Sequence, residues 1–177
     1  MNTLPAKGDS VAALNPATLG ALGDFPRQLE AFYAEVPAAF KNWRPAFWQG
    51  IPSEPFTPIE QVCHVLDIEV EGYHVRFRRT LQESDPGLIS LDGESLARER
   101  SYATANAAEV FSAFRLARAR TIELISNLSA REFARTAQFE GRKVTVLGLV
   151  HYLCSHDQQH LAGLQWLLAG IEAAVRT

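Results

Sequence analysis

The chain has 177 residues, of which 47% are hydrophobic and 21% charged, and a formal net charge of −3. That length suits one domain of about 100–200 residues, and the composition supplies enough apolar surface for a core, which excludes disorder for most of the chain. The slightly acidic balance excludes a nucleic-acid binder that works by neutralising phosphates, no stretch reaches the ~20 apolar residues of a membrane span, and two cysteines, Cys63 and Cys154, make no disulfide framework.

Residues 1–24 mix Lys7, Gly8, Asp9, Ser10, Asn15, Pro16 and Gly20 with no apolar run. They read as a loosely ordered arm rather than a secretory signal, followed by a single domain over residues 25–177. Reduced thiols and the lack of a signal make the expected location cytoplasmic.

Asp24 as N-cap and Pro26 in the first turn open the first expected helix. Leu29, Phe32, Tyr33, Val36, Phe40 and Trp43 then recur every three or four residues. Pro37 predicts a kink or break in that run, and Gly50, Pro52 and Pro55 a loop after it. Thr57-Pro58-Ile59-Glu60 is a capping box with proline at the first helical position. The helix it opens carries Ile59, Val62, Cys63, Leu66, Val70 and Tyr73 on one face and runs to about Leu81, before the turn Asp85-Pro86-Gly87.

Residues 92–104 suit either a short extra helix or the start of the next long one. That third helix shows Val110, Phe114, Ala117, Thr121, Leu124 and Leu128 as its apolar stripe, with Arg115 and Arg118 on a solvated face. Ser129-Ala130-Arg131-Glu132 is a second capping box, for a short helix. Glu140-Gly141 is a turn flanked by extended residues. The last helix begins near Thr145 and ends near Ala169 or Gly170. The fold class is all-α, most simply a four-helix bundle with a long connection between helices two and three.

His156 and His160 are four apart on the last helix, which stacks them about 6 Å apart along its axis. The same face carries Leu149, Leu153, Leu164 and Leu167, and Gly163 leaves space one turn on. Two buried imidazoles at this spacing are either satisfied core histidines or two ligands of one metal ion, which then needs a third from another helix. His151 points about 140° away from His156. His74 sits beside Arg76, Arg78 and Arg79, which disfavour a second cation; those arginines suit either an anionic substrate or a solvated helix end. His64 falls with Glu60, Asp67 and Glu71 on the more polar side of its helix, solvated or lining an open cleft. The tryptophans Trp43, Trp48 and Trp166 read as packing or interface residues, Cys63 as core, and Cys154 as a poor ligand.

The run His64-Val65-Leu66-Asp67-Ile68-Glu69, the pair His156-x-x-x-His160, Pro86-Gly87, Glu99-Arg100-Ser101-Tyr102 and the approach Lys143-Val144-Thr145-Val146-Leu147-Gly148-Leu149 together resemble the DinB/YfiT-like family of metalloenzymes over most of residues 25–170. The resemblance implies a bundle of that family's type whose cleft holds one divalent ion on His64, His156 and His160, with the polar face of His64 bordering an open pocket. Family members often carry glutamine three residues after the second histidine of the pair, where this chain has Gly163. Zinc or nickel suits three imidazoles. The family includes enzymes that use a low-molecular-weight thiol as co-substrate.

The expected function is therefore that of a metal-dependent enzyme, a thiol S-transferase or a hydrolase, acting on a small molecule. The alternatives are a non-catalytic metal- or ligand-binding bundle and a structural homodimer. A homodimer is the expected assembly, with no nucleic acid or membrane partner. No catalytic base stands out. Asp67 and Asp157 neighbour proposed ligands and are candidates to orient an imidazole, and Glu69, among apolar neighbours, is a candidate for a buried, paired carboxylate. Each is equally readable as a surface or capping residue.

Overall fold

In the computed structural model, residues 14–176 are described. Four long helical rods form a bundle: α1 (Pro16–Ala34), a second rod built of α2 (Pro58–Asp67), a π-helical segment (Ile68–Tyr73) and α3 (His74–Gln82), then α5 (Ala107–Ser126) and α7 (Val146–Val175). α1 packs on α5 and α7, and α2 packs on the same two, so α1 and α2 face each other across one diagonal. The long connection after the second rod holds the short strand β1 (Gly87–Leu88), the short helix α4 (Gly93–Glu99) and a single 3-10 turn. The short α6 (Ala130–Phe133), opened by the Ser129–Glu132 capping box, leads into a hairpin of β2 (Thr136–Phe139) and β3 (Arg142–Thr145). β1 joins β2 in parallel, an addition to the expected hairpin.

α1 starts earlier than the sequence reading placed it. Asn15, not Asp24, is the N-cap; its side chain accepts the Ala17 N–H at 2.9 Å, and Pro16 takes the first helical position. Residues 16–24 are therefore helix rather than arm, and the part of the expected arm before residue 14 lies outside the described residues. Pro26 stands inside α1. It has no N–H to give the Leu22 carbonyl four residues back, and Arg118 Nη1 supplies that bond from α5 at 2.8 Å. The helix ends at Ala34, and the run breaks before Pro37 as expected.

The Thr57–Glu60 capping box opens α2, with the Glu60 carboxylate accepting the Thr57 N–H at 2.8 Å. Beyond Asp67 the rod departs from α geometry. The His74 N–H bonds to the Glu69 carbonyl five residues back, so this turn holds more residues than an α turn. Buried residues then recur in pairs every four positions: His64 and Val65, Ile68 and Glu69, Gly72 and Tyr73, Arg76 and Phe77. The expected stripe through Leu66 and Val70 is displaced accordingly, Val70 being exposed and Glu69 fully buried.

Two apolar clusters fill the bundle. One joins Phe25, Val62, Phe114, Leu161 and Leu164; the other, toward the sheet, joins Leu22, Phe77, Ile125, Leu149 and Leu153. Between them lies a polar layer. On α5 it contains Arg118 and Thr121, on α7 His156, Asp157 and His160, and on the second rod His64 and Glu69. No helix among the described residues is long and apolar enough to cross a membrane.

Candidate metal centre

Half of the polar layer is an ion network. Arg118 is buried, and all five of its N–H groups are used: on Glu69 Oε1 (3.0 Å) and Oε2 (2.9 Å), Asp157 Oδ2 (2.6 Å) and Oδ1 (3.0 Å), and the Leu22 carbonyl (2.8 Å). Arg118 is thus not on a solvated face, as its spacing suggested. Burial opposes its charge, but Asp157 and Glu69 together hold its pKa above the ordinary value. Burial pushes the Asp157 carboxyl up to about 7 against the pull of Arg118. Thr121 donates to Glu69 Oε1 at 2.5 Å, and His74 Nε2 reaches Thr121 Oγ1 at 3.0 Å. The network ties the π segment to α5 and α7.

The other half is a cluster of His64, His156 and His160, whose ligand atoms all lie within 4.8 Å of one another. The Nε2 atoms of His64 and His156 are 3.3 Å apart. His160 Nδ1 meets Gln61 Oε1 at 2.5 Å. The Gln61 amide nitrogen faces Ser53 Oγ (2.8 Å) and the carbonyls of Glu54 and Phe56 (both 3.3 Å). Those acceptors require the NH2 end there, so Gln61 offers its oxygen to His160, and Nδ1 must carry the proton. The Nε2 lone pair of His160 is left facing the other two imidazoles.

Burial, followed by the neighbouring His160, lowers His64 to about 3. His156 is lowered well below the ordinary value, again by burial first and then by His160 and His64. The rings are packed with centroids 4.4–5.3 Å apart, where a proton on one repels a proton on the next. Imidazoles whose ring nitrogens converge are what a transition-metal ion needs. Four ligands at the usual ~2.0–2.1 Å from a tetrahedral ion stand about 3.3 Å apart, which is the His64–His156 spacing. His160 Nε2, buried without a hydrogen bond, fits as a third ligand atom. The residues fit the group.

A carboxylate faces the cluster. Glu54 Oε2 lies 3.3 Å from His160 Nε2 and Oε1 lies 3.9 Å from His64 Nε2. Glu54 itself is half-exposed, on the loop before α2. Gln61 fixes the loop that carries it by bonding to Ser53 and to the Glu54 and Phe56 carbonyls. A cavity of about 290 Å³ opens on the histidines, lined by Glu54, Tyr73, Arg76, Ser90, Phe139, Glu140, Tyr152 and Gln159.

The three histidines of the sequence reading thus converge, and His151, exposed on α7, stands apart. The candidate carboxylates do not orient the imidazoles. Asp67 pairs with Arg100 at 2.8 Å and accepts the Tyr102 hydroxyl, while Glu69 and Asp157 are spent on Arg118. Glu69 is buried and paired, as expected. Cys63 is buried, its thiol pushed up to about 12 by that burial, and Trp48 stacks on Trp166. Sequence reasoning missed Glu54, Gln61 and Gly93. Gly93 has no room for a side chain, since a Cβ there would stand 2.6 Å from His64 Cε1. Gln61, three residues before His64 on one helix face, was the one legible signal among them.

The family profile of the DinB superfamily matches residues 25–164. The chain belongs to the DinB superfamily. No curated protein matches significantly. This DinB chain also shares its fold with YfiT from Bacillus subtilis, described as a probable metal-dependent hydrolase with an unusual four-helix bundle topology: the TM-score is 0.78 at 18% identity, over 97% of this chain and 94% of that one.

Proposed function

We propose that this DinB protein is a metal-dependent hydrolase of a small molecule, with His64, His156 and His160 holding one divalent ion, zinc or nickel, and Glu54 acting as the proton acceptor. The observation that carries the reading is the convergence of three imidazoles opposite one carboxylate, beside a cavity. When bound, the ion supplies Lewis acidity and makes water a nucleophile near neutral pH. Glu54, facing the cluster from the loop before α2, takes the proton from the attacking water and returns it to the leaving group. Gln61 holds His160 in the tautomer that leaves Nε2 unprotonated, and the Arg118 network keeps α7 fixed against the π segment.

The test is metal analysis of protein purified without a metal-affinity tag, followed by assay of a panel of chromogenic esters and amides. The protein should carry one equivalent of ion, His64→Ala should lose it with helical content intact, and Glu54→Gln should keep it while losing turnover by about a hundredfold or more. Full metal occupancy in His64→Ala overturns the ligand set. Turnover that requires an added thiol and an electrophile reassigns the reaction to S-transfer.

A further inference from the structure

Among the described residues two arginines are buried, Arg76 and Arg118. Arg118 has two carboxylates. Arg76, on α3 and only 5% exposed, makes no ion pair among the described residues: its Nη2 donates to the Ile89 carbonyl at 3.2 Å, and its Nε is buried without a partner. The guanidinium is held in place by aromatic rings, its central carbon 4.9 Å from the Tyr73 ring centroid and 4.5 Å from that of Phe139. Gly72 leaves it room, since a Cβ there would come within 3.3 Å of Nη1. The nearest acidic side chain on the same cavity, Glu140, lies beyond ion-pair distance and instead accepts a hydrogen bond from Ser90 Oγ at 2.8 Å.

With Tyr73 as a side-chain partner and Glu140 acting only from beyond ion-pair distance, Arg76 is a cation taken out of water with no carboxylate in contact, which is costly. Here it stands in the wall of the cavity that opens on His64 and His156, close enough that its charge helps to keep His156 neutral. We propose that Arg76 is the substrate-recognition residue of this cavity, and that the substrate carries a carboxylate which the Arg76 guanidinium receives while the reacting group lies against the three histidines. A planar fork held between aromatic rings in the wall of the cavity matches a carboxylate. The inference rests on the metal-site reading for the place of the reacting group, but not for the carboxylate contact itself.

Two mercaptans of equal chain length, 3-mercaptopropionate and the neutral 3-mercaptopropanol, separate the two contacts. Titrated into cobalt(II)-loaded protein, each reports its own binding through the thiolate-to-cobalt absorption. The acid should bind at least tenfold more tightly than the alcohol. In Arg76→Gln that preference should fall to about unity, with cobalt affinity and the alcohol's Kd unchanged within twofold. Arg76→Lys, which keeps the charge and loses the fork, should fall between. An unchanged preference in Arg76→Gln overturns the proposal and leaves the metal site standing.

Should Arg76→Gln not fold, the arginine Nε nitrogen-15 signal of the wild-type protein decides. It should shift and saturate with 3-mercaptopropionate but not with the alcohol, and no shift overturns the proposal. A protein that takes up no cobalt yet shows the saturating Nε shift overturns the metal reading and keeps this one.

Discussion

Replacing Arg118 by methionine keeps most of its aliphatic stem and removes only the guanidinium. Glu69 and Asp157, at 0% and 2% exposure, then lose four charged hydrogen bonds between them, and the Leu22 carbonyl loses the donor that replaces the missing N–H of Pro26. Only the Thr121 hydroxyl stays on Glu69. Breaking a buried ion pair by removing one partner costs about 3–5 kcal/mol, against a total stability of about 5–15 kcal/mol for a domain. The expected loss is ~4 kcal/mol at pH 8, read as a fall of roughly 2 M in the urea midpoint at a slope near 2 kcal/mol/M.

The loss should also depend on pH. Asp157 sits up at about 7 instead of 3.8 even with Arg118 beside it, so the folded state holds that proton more tightly than the unfolded chain. The penalty for its charge is present above the folded pKa and is relieved as pH falls toward the unfolded one. Without Arg118 the carboxyl rises further, and at pH 5.5 it is protonated and the penalty shrinks. A loss below 1 kcal/mol at pH 8, or one that is the same at both pH values, refutes this account.

Gly93→Ala should lower metal affinity tenfold or more in a chelator competition while helical content is unchanged, because the new Cβ meets His64 Cε1 at 2.6 Å and Nδ1 at 2.8 Å and the ring must turn. Gln61→Leu removes the acceptor that fixes His160 and should cost about 10–100-fold in the same assay, with full affinity in the variant counting against the tautomer argument. His64 should cost the metal-free protein stability as pH drops from about 6.5 toward 3: lowered to about 3 when folded, it stays neutral while its unfolded counterpart takes up a proton. The difference in urea midpoint between wild type and His64→Phe at pH 7, 5 and 4 separates this from the opposite drift of Asp157, and a difference that does not change with pH contradicts the buried neutral imidazole.

The helical rods were legible because their signals are local. Thr57-Pro58-Ile59-Glu60 caps α2 through residues within one turn, and the leucines around His156 and His160 mark one face of α7 by period alone. Asn15-Pro16 was equally local, but a second proline-bearing start signal at Asp24 competed with it. Arg118 was misread because its partners, Glu69 and Asp157, lie 49 and 39 residues away and leave no trace in the period of α5. Glu54 sits on a loop, where no period exists. The orientation of His64 was ambiguous for a related reason: seen on regular α geometry, its rod has a polar side, and nothing in the residue types announces that the turn after Asp67 is wider.

That wider turn divides the second rod into an upstream stretch, which presents His64, and a downstream stretch, which presents Tyr73 and Arg76 to the same cavity. Losing one residue between Asp67 and His74 would let the turn close into ordinary α-helix while Tyr73 and Arg76 keep their side of the rod, because the wide turn is what absorbs the extra residue. Losing one from the ordinary helix just upstream, between His64 and Asp67, has no such outlet and would turn everything beyond by about 100°. A single-codon change is therefore absorbed in the wide turn and not one turn earlier. Descendants of this bundle have one place where the rod gains or loses a residue without moving either half of the pocket.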